Sequence, residues 1–599
     1  MNGRRQKLEL NWIGKDEELK LEPRILIEDS KKSYGDQGTE NMLIHGDNLL
    51  ALKALEQDFA GRIKCIYIDP PFNTGQAFEN YDDSLEHSIW LNLMYERIKI
   101  LYVLLNDNGV IWIHLDDSEL HYFKVIMDEV FGRDSFVIQN NWQRTSQRTV
   151  LGQGATPIIN IMEYILVYVK KPEYLNETLK KISKYFDADE KIFGQYNILF
   201  KSEGVKKLHK TLDHNGSEIR IYKHSDFAIE KIEAKDKNFE YYLENINYIA
   251  RKDTQQKESS LEQRIIKEIE KNDTLFSVER ILKQGKRKGE EKTSYYMNDN
   301  VIYYLKEYTK VEKGKIYRKV DMNNLWLDTE ISSAGIAKEG SVEMKRNKKP
   351  ELLIQRILEI SSDKGDYIMD SFLGSGTTCA VANKLERKWI GIELGDHAYS
   401  LCHPRIKKVI DGSDQGGISK AVDWQGGGGF KFYELAPSLL KKDKYGQWIF
   451  EEKYNANMLA AAMCKHEGFK FSPDAEVYWK QGKSTETDYI FVITSFVTVE
   501  QLDRIHSEMK ENESLLICAK SFSPACKDKY DNITIKKIPQ MILGKCEFSK
   551  DNYDLNIVNA PVDESDEEEA EPEEAIEEKA KKEKKAANVK KEKGQGKLL

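Results

Sequence analysis

Tyr367-Ile368-Met369-Asp370-Ser371-Phe372-Leu373-Gly374-Ser375-Gly376-Thr377-Thr378 is an apolar run of strand length that breaks into small residues and reopens as a helix. Small residues at such a turn let a ligand come up against the backbone, in the crevice at the carboxyl ends of the strands. The next apolar run, Trp389-Ile390-Gly391-Ile392-Glu393, ends in a carboxylate about 20 residues on, suited to the two hydroxyls of a ribose. A lone Gly-x-Gly is equally a tight turn. With the downstream acid it specifies an adenosine-type ligand, without saying which. There is no Gly-x-x-x-x-Gly-Lys phosphate loop: Gly482-Lys483-Ser484 has Val477 where that loop needs glycine, and reads as a surface turn.

Outward from this turn the same rhythm repeats. Glu351 to Ile360 has helical spacing. Upstream, Met42-Leu43-Ile44 is a short strand ending at His45-Gly46-Asp47, and a helix follows from Asn48 to Leu55. Cys65-Ile66-Tyr67-Ile68 is a strand stopped by Asp69-Pro70-Pro71. Trp90, Leu91, Met94, Ile98 and Leu101 mark an amphipathic helix. Gly109 to Leu115 is a strand, Leu120 to Val130 a helix, and Tyr164 to Val169 a further strand. Strands alternating with helices predict an α/β fold with a doubly wound, mostly parallel sheet.

The rhythm fails from about residue 171 to 320, a Lys/Glu-rich stretch whose tyrosines need burial and whose Ser259 to Glu270 suits a charged helix. The expected organisation is an N-terminal arm (1–40), one α/β domain in two pieces (41–170 and 321–430), an inserted domain (171–320), a small C-terminal α/β domain (431–560) and a charged disordered tail (561–599). In the C-terminal domain Tyr489 to Thr494, Leu515 to Ala519 and Ile533 to Ile535 read as strands. The tail is an acidic block followed by a lysine block, a composition that cannot bury apolar surface.

With 599 residues, 40% of them hydrophobic, the chain can build several cores, and no apolar run approaches the ~20 residues of a membrane helix. The basic start, Met1 to Lys7, lacks an apolar region behind it and is no secretory signal. Seven scattered cysteines with no Cys-x-x-Cys pair argue against disulfides and structural zinc, and place the chain in a reducing cytoplasm. The net charge of −9 leaves nucleic acid as a partner only through a local basic cleft.

Asp69-Pro70-Pro71-Phe72, followed by Asn73-Thr74-Gly75, carries the chemistry. The prolines remove two amide donors and stiffen the chain, so a carbonyl and a carboxylate can face one space. Phe72 can stack on a planar ring while Asp69 and the Pro70 carbonyl accept the two hydrogens of its exocyclic amine. Drawing those hydrogens out of conjugation localises the nitrogen lone pair and makes it nucleophilic. The bland alternative is a proline-rich turn with a core phenylalanine.

In these residues the chain resembles the S-adenosylmethionine-dependent DNA amino-methyltransferases, in the permuted order where Asp-Pro-Pro-Phe precedes the glycine turn, and above all the modification subunits of type III restriction-modification systems. The likeness rests on Asn41 to Leu55, Asp69 to Gly75, Trp90 to Arg97, Gly109 to Gly132, Glu163 to Tyr168, Lys349 to Leu352, Asp370 to Thr378, Ile390 to Glu393 and Gly426 to Phe430. It implies a Rossmann-like sheet in which Asp69, Pro70, Pro71 and Phe72 hold the target amine; Phe stands where the family usually has Tyr. Asp370, Phe372, Gly374, Ser375, Gly376 and Thr377 line S-adenosylmethionine, Glu393 takes its ribose, Asp47 its adenine, and Lys349 and Pro350 its methionine moiety. It further implies an extruded base in double-stranded DNA, adenine N6 rather than cytosine N4, target recognition by the insertion, a homodimer and a separate helicase-nuclease restriction subunit. Cytosine-N4 or RNA methylation, and a DNA-binding scaffold with a vestigial site, remain as alternatives.

Other residues read more plainly. His45, His114 and His121 lack metal-ligand spacing and read as structural histidines, Cys379 as a packing residue, and Asp116-Asp117 as a cap for the next helix. Trp142-Gln143-Arg144-Thr145 with Arg148 reads as an exposed polar loop open to phosphate or the base, and Lys286-Arg287-Lys288 as a solvated face or a phosphate contact.

Overall fold

Ile63-Lys64-Cys65-Ile66-Tyr67-Ile68 is buried at every position. Only a strand covered on both faces hides such a run, and that makes it the inside of a parallel sheet. In the computed structural model, which describes residues 9–72, 83–144, 160–332, 336–341 and 348–551 apart from 18, 182, 188–193, 215–216, 234–237, 255–259, 283–288, 299 and 313, this strand sits near the middle of an eleven-stranded sheet. Asn73-Thr74-Gly75, Thr145, Arg148, Lys286-Arg287-Lys288 and the tail from residue 561 lie outside the described residues.

The sheet's strands, in chain order, are β1 (Leu26–Glu28), β2 (Tyr34–Gly35), β3 (Met42–His45), β4 (Ile63–Ile68), β5 (Leu105–Leu115), β6 (Phe136–Gln143), β7 (Met162–Val169), β8 (Leu325–Trp326), β9 (Tyr367–Asp370), β10 (Lys388–Glu393) and β11 (Gly429–Leu435). Their spatial order is β1-β11-β3-β10-β9-β4-β5-β7-β6-β8, with β2 also pairing β11. The run from β11 to β5 is parallel throughout, and β7 lies antiparallel between β5 and β6. Helices α1 (Asn48–Phe59), α2 (Asp83–Leu104), α3 (Leu120–Phe131), α4 (Glu351–Ser361), α5 (Thr377–Lys384) and α6 (His403–Ile410) connect the strands. One core of Leu52, Leu55, Ile66, Trp90, Ile98, Ile111, Phe123 and Met369 fills the space between sheet and helices.

Several expectations are corrected. The stretch that begins at Trp142 does not open as a loop, since Trp142 and Gln143 close β6. β6 pairs with β7 over seven positions, and Trp142, 1% exposed, donates its indole N–H to the Ile331 carbonyl at 3.3 Å. Polar Gln139, Asn140 and Asn141 masked an alternation that tertiary pairing completes. Asp116 does not cap α3, whose N-cap is Glu119; it accepts from the Ser118 amide at 3.0 Å in a turn of its own. Gly482-Lys483 is a paired strand, and a Cβ at Gly482 would meet the Cys464 sulfur at 2.6 Å. The main sheet also runs past residue 430, since Phe430 and Phe432 are buried in β11. The residues before 40 are no free arm: β1 and β2 both pair with β11.

The chain divides into two compact units, Met1–Lys180 with Asn324–Leu599, and Lys181–Asn323. The second is built on an eight-stranded antiparallel sheet around Ile219, Ile221, Phe276, Val278 and Tyr296, with the helix Ser260–Glu268 packing Ile265 into that core. After β11 the first unit carries a five-stranded sheet that includes Asp488–Val497, Ser514–Phe522 and Ile533–Lys537. Among the described residues no helix is long and apolar enough to cross a membrane, and no group of His, Cys, Asp and Glu could hold a metal ion.

Candidate functional site

Two strand ends meet here. β4 and β9 are parallel neighbours with Cys65 opposite Ile368 and Ile66 opposite Met369. Carried three residues past the last paired positions, that register sets Asp69 level with Phe372, beyond the ends of strands about 4.8 Å apart. The Asp-Pro-Pro-Phe corner and the glycine turn therefore open on the same crevice, at the carboxyl ends of adjacent strands.

The turn is held from below. Asp370 Oδ1 accepts from the Phe372 amide at 2.9 Å, and its Oδ2 from the Thr378 hydroxyl at 2.6 Å. Burial pushes this carboxyl up to about 7 against those two donors. Gly374 and Gly376 have φ of +58° and +80°, the left-handed region that glycine alone adopts freely, and Gly376 caps α5. A Cβ added at Gly374 would meet open space, so a ligand can reach the backbone there. Glu393 Oε2 accepts from the Gly374 amide at 2.7 Å and Oε1 from the Gly395 amide at 3.0 Å, which ties the end of β10 to the turn. Burial raises the Glu393 carboxyl above its ordinary value and these amides oppose the rise. Behind the turn a buried guanidinium, Arg405, donates to the Thr377 hydroxyl at 2.7 Å and to the Ser375 carbonyl at 3.3 Å. It pairs with Glu351 at 2.9 Å, and Lys384 bridges Glu351 and Asp414 at 2.8 Å each.

The corner carries more charge than its tetrapeptide. Trp90 donates its indole N–H to the Pro71 carbonyl at 2.9 Å and so fixes the bend. Lys349, nine-tenths buried, puts its ammonium 3.4 Å from Asp69 Oδ2, 3.0 Å from Glu163 Oε2 and 5.1 Å from the centre of the Phe72 ring. His114 Nε2 lies 2.6 Å from Glu163 Oε2, and the Tyr67 hydroxyl 2.9 Å from His114 Nδ1. Arg144, at the rim, is 3.6 Å from Glu163 Oε1. Burial raises the Asp69 carboxyl while Lys349 and His114 hold the rise back. Burial works the same way on Glu163, but Lys349 and His114 overcome it and keep that carboxyl far below the ordinary range.

The expected residues thus fall into three sets. Asp69, Pro70, Pro71 and Phe72 form the corner; Phe372, Gly374, Ser375, Gly376 and Thr377 form the turn, with the Ser375 and Thr377 hydroxyls held from behind by Arg405, and Glu393 at the end of β10 is tied to it. Asp47 and Asp370 are absorbed by the scaffold. Asp47 is buried, accepts from the Leu50 amide at 2.9 Å as the N-cap of α1, and lies 3.6 Å from Arg97. Lys349 lies at the amine corner rather than at the turn, and Pro350 is the N-cap residue of α4. Glu163, His114 and Arg405 went unrecognised as parts of the site. A glutamate opening the otherwise apolar Tyr164 to Val169 was the available signal for the first.

The chain matches the DNA methylase family over residues 63–403. It is 35% identical over 441 residues to the probable type III restriction-modification enzyme HindVI Mod subunit of Haemophilus influenzae, with 68% of this chain and 56% of that one aligned. It is 23% identical over 508 residues to the EcoP15I Mod subunit of Escherichia coli (74% and 73%), and 23% identical over 440 residues to the StyLTI Mod subunit of Salmonella typhimurium (66% and 58%). The alignments span little more than half of the first and third of these relatives.

Proposed function

Since this chain belongs to the DNA methylase family, we propose that it transfers the methyl group of S-adenosylmethionine to adenine N6 in double-stranded DNA, as the modification subunit of a type III restriction-modification system. The observation that carries the proposal is the register of β4 on β9, which sets the Asp-Pro-Pro-Phe corner beside a glycine turn with an open face.

The residues fit the cofactor: the left-handed glycines leave the backbone accessible, and Glu393 stands at the next strand end with its carboxylate on the Gly374 amide. When bound, S-adenosylmethionine supplies an electrophilic methyl on a sulfonium. The protein does the rest by holding. Extruding the base costs a few kcal/mol, offset by stacking on Phe72 and by hydrogen bonds along the base edge. Asp69 and the Pro70 carbonyl accept the two amine hydrogens and draw the nitrogen lone pair out of the ring. After transfer the nitrogen carries one proton too many, and Asp69 is placed to receive it.

The insertion Lys181–Asn323 is assigned to target recognition, with the restriction subunit and a second copy of this chain as partners in the cytoplasm. Nucleoside analysis of duplex DNA incubated with the protein and methyl-labelled S-adenosylmethionine should yield N6-methyladenine. N4-methylcytosine, or label entering RNA only, would overturn the substrate; DNA binding without any transfer would leave a specificity component. Asp69→Ala should abolish methylation and leave cofactor affinity within about twofold, because it lies on the amine side of the crevice.

A further inference from the structure

Five charged or polar groups face Asp69 from four elements: Tyr67 on β4, His114 on β5, Glu163 on β7, and Lys349 just before α4, with Asp370 on β9 adding its negative field. Arg144 on β6 touches Glu163 from the solvent side. The ammonium of Lys349 lies closer to Glu163, at 3.0 Å, than to Asp69, at 3.4 Å. Two carboxylates thus share one ammonium, and the buried trio has a net charge of −1. That sign suits the nitrogen of an attacking amine, which becomes positive as its new bond forms. An Asp69–Lys349 pair alone would be neutral and would offer the nitrogen nothing.

We propose that Glu163 and Lys349 are positioning residues for methyl transfer: Glu163 shares the Lys349 ammonium with Asp69, and Lys349 keeps the two carboxylates compatible, so that Asp69 faces the amine with its charge only partly countered. This rests on the amino-methyltransferase reading above. No bond is made or broken by either residue; the proton shed by the methylated nitrogen still goes to Asp69.

The trio's charge makes the test a cycle. Glu163→Gln leaves the trio neutral and lets Lys349 close on Asp69. Its kcat should fall about 10²-fold, with base binding weakened because the acceptor is occupied. Lys349→Met leaves two carboxylates with no ammonium. The acidic limb of its kcat–pH profile should move up by about 1–3 units, as a lost counter-charge at this range does. The double variant restores −1, and should recover at least tenfold over Glu163→Gln at neutral pH with the limb back near its original position. Lys349→Arg keeps the charge and should track the wild type's limb. Binding to a duplex carrying 2-aminopurine at the target position, followed by fluorescence without cofactor, gives a second readout, with Glu163→Gln lowest and the double variant recovered. Thermal unfolding of all four variants separates misfolding from chemistry. A double variant no better than its worse parent, or single variants that behave as wild type, would overturn the inference. A wild type that methylates no DNA would instead overturn the function on which it rests.

Discussion

Asp370 is a carboxyl whose two partners both donate to it, yet burial holds it near 7. Its ordinary value is 3.8, so between about pH 4 and 7 the folded chain holds a proton that the unfolded chain has shed. Stability from this group is therefore present at the acidic end and lost as pH rises through about 7, at about 1.4 kcal/mol per pH unit inside the window. Asp370→Asn should remove that slope: its oxygen still accepts from the Phe372 amide, and its N–H donates to the Thr378 hydroxyl, which turns round to accept. The measurement is the difference in unfolding free energy between variant and wild type at pH 5 and pH 7.5, which should change in the variant's favour as pH rises. Residues of this kind mark the limit of what a sequence discloses. Asp69 and Glu393 could be assigned because their chemistry is local: a carboxylate before two prolines, and another at a strand end after a glycine turn. Glu163, and the place of Lys349 beside Asp69, could not, because each acquires its meaning from a partner 186 residues away in the chain.

At the scale of elements, α1 shows how one carboxylate admits two readings. Asp47 ends a strand, as a ligand-binding acid would, and it also precedes a helix with apolar residues at Leu49, Leu52 and Leu55, as an N-cap would. The structure shows the cap and adds Arg97, a fully buried guanidinium that also donates to Asn48 and to the Leu93 carbonyl at 3.0 Å. Asp47→Ala should cost about 1 kcal/mol for the cap and about 3 kcal/mol more for a buried cation left short of its counter-charge. Asp47→Asn, which keeps the cap acceptor, should lose less than Asp47→Ala, and chemical denaturation of both would show it. An unchanged stability with weakened cofactor binding would return Asp47 to the adenine. The helices and central strands were readable because their apolar periodicity is strong. β6 was not, because a strand carrying Gln139, Asn140 and Asn141 is defined only by the strands beside it, β7 and β8.

Across the whole molecule, the first 40 residues and the insertion make opposite predictions. Glu22, buried, accepts from the Leu439 amide at 2.7 Å and the Ser438 hydroxyl at 2.8 Å, while Arg24 donates to the Lys550 carbonyl at 2.6 Å. Residues that look peripheral in composition thus tie the segment after β11 to the chain at Lys550, and β1 and β2 pair with β11, so deleting residues 1–40 should lower the unfolding midpoint by about 5 °C or more. The insertion is a different case, because its two ends are anchored within the first unit. The Lys180 amide donates to the Ile360 carbonyl at 2.8 Å, and the Asn324 carbonyl accepts from the Asn141 amide at 2.8 Å. Lys181–Asn323 has its own cores and its own sheets. Replacing it with a glycine-serine linker should therefore leave the corner and the turn assembled, with cofactor affinity within about tenfold of the intact chain by calorimetry. Sequence-directed methylation should vanish, since the groups assigned to reading base edges go with the excised unit. If cofactor affinity collapsed while the remainder stayed folded, the insertion would belong to the methyl-donor site. If site-directed methylation survived, recognition would lie elsewhere in the chain.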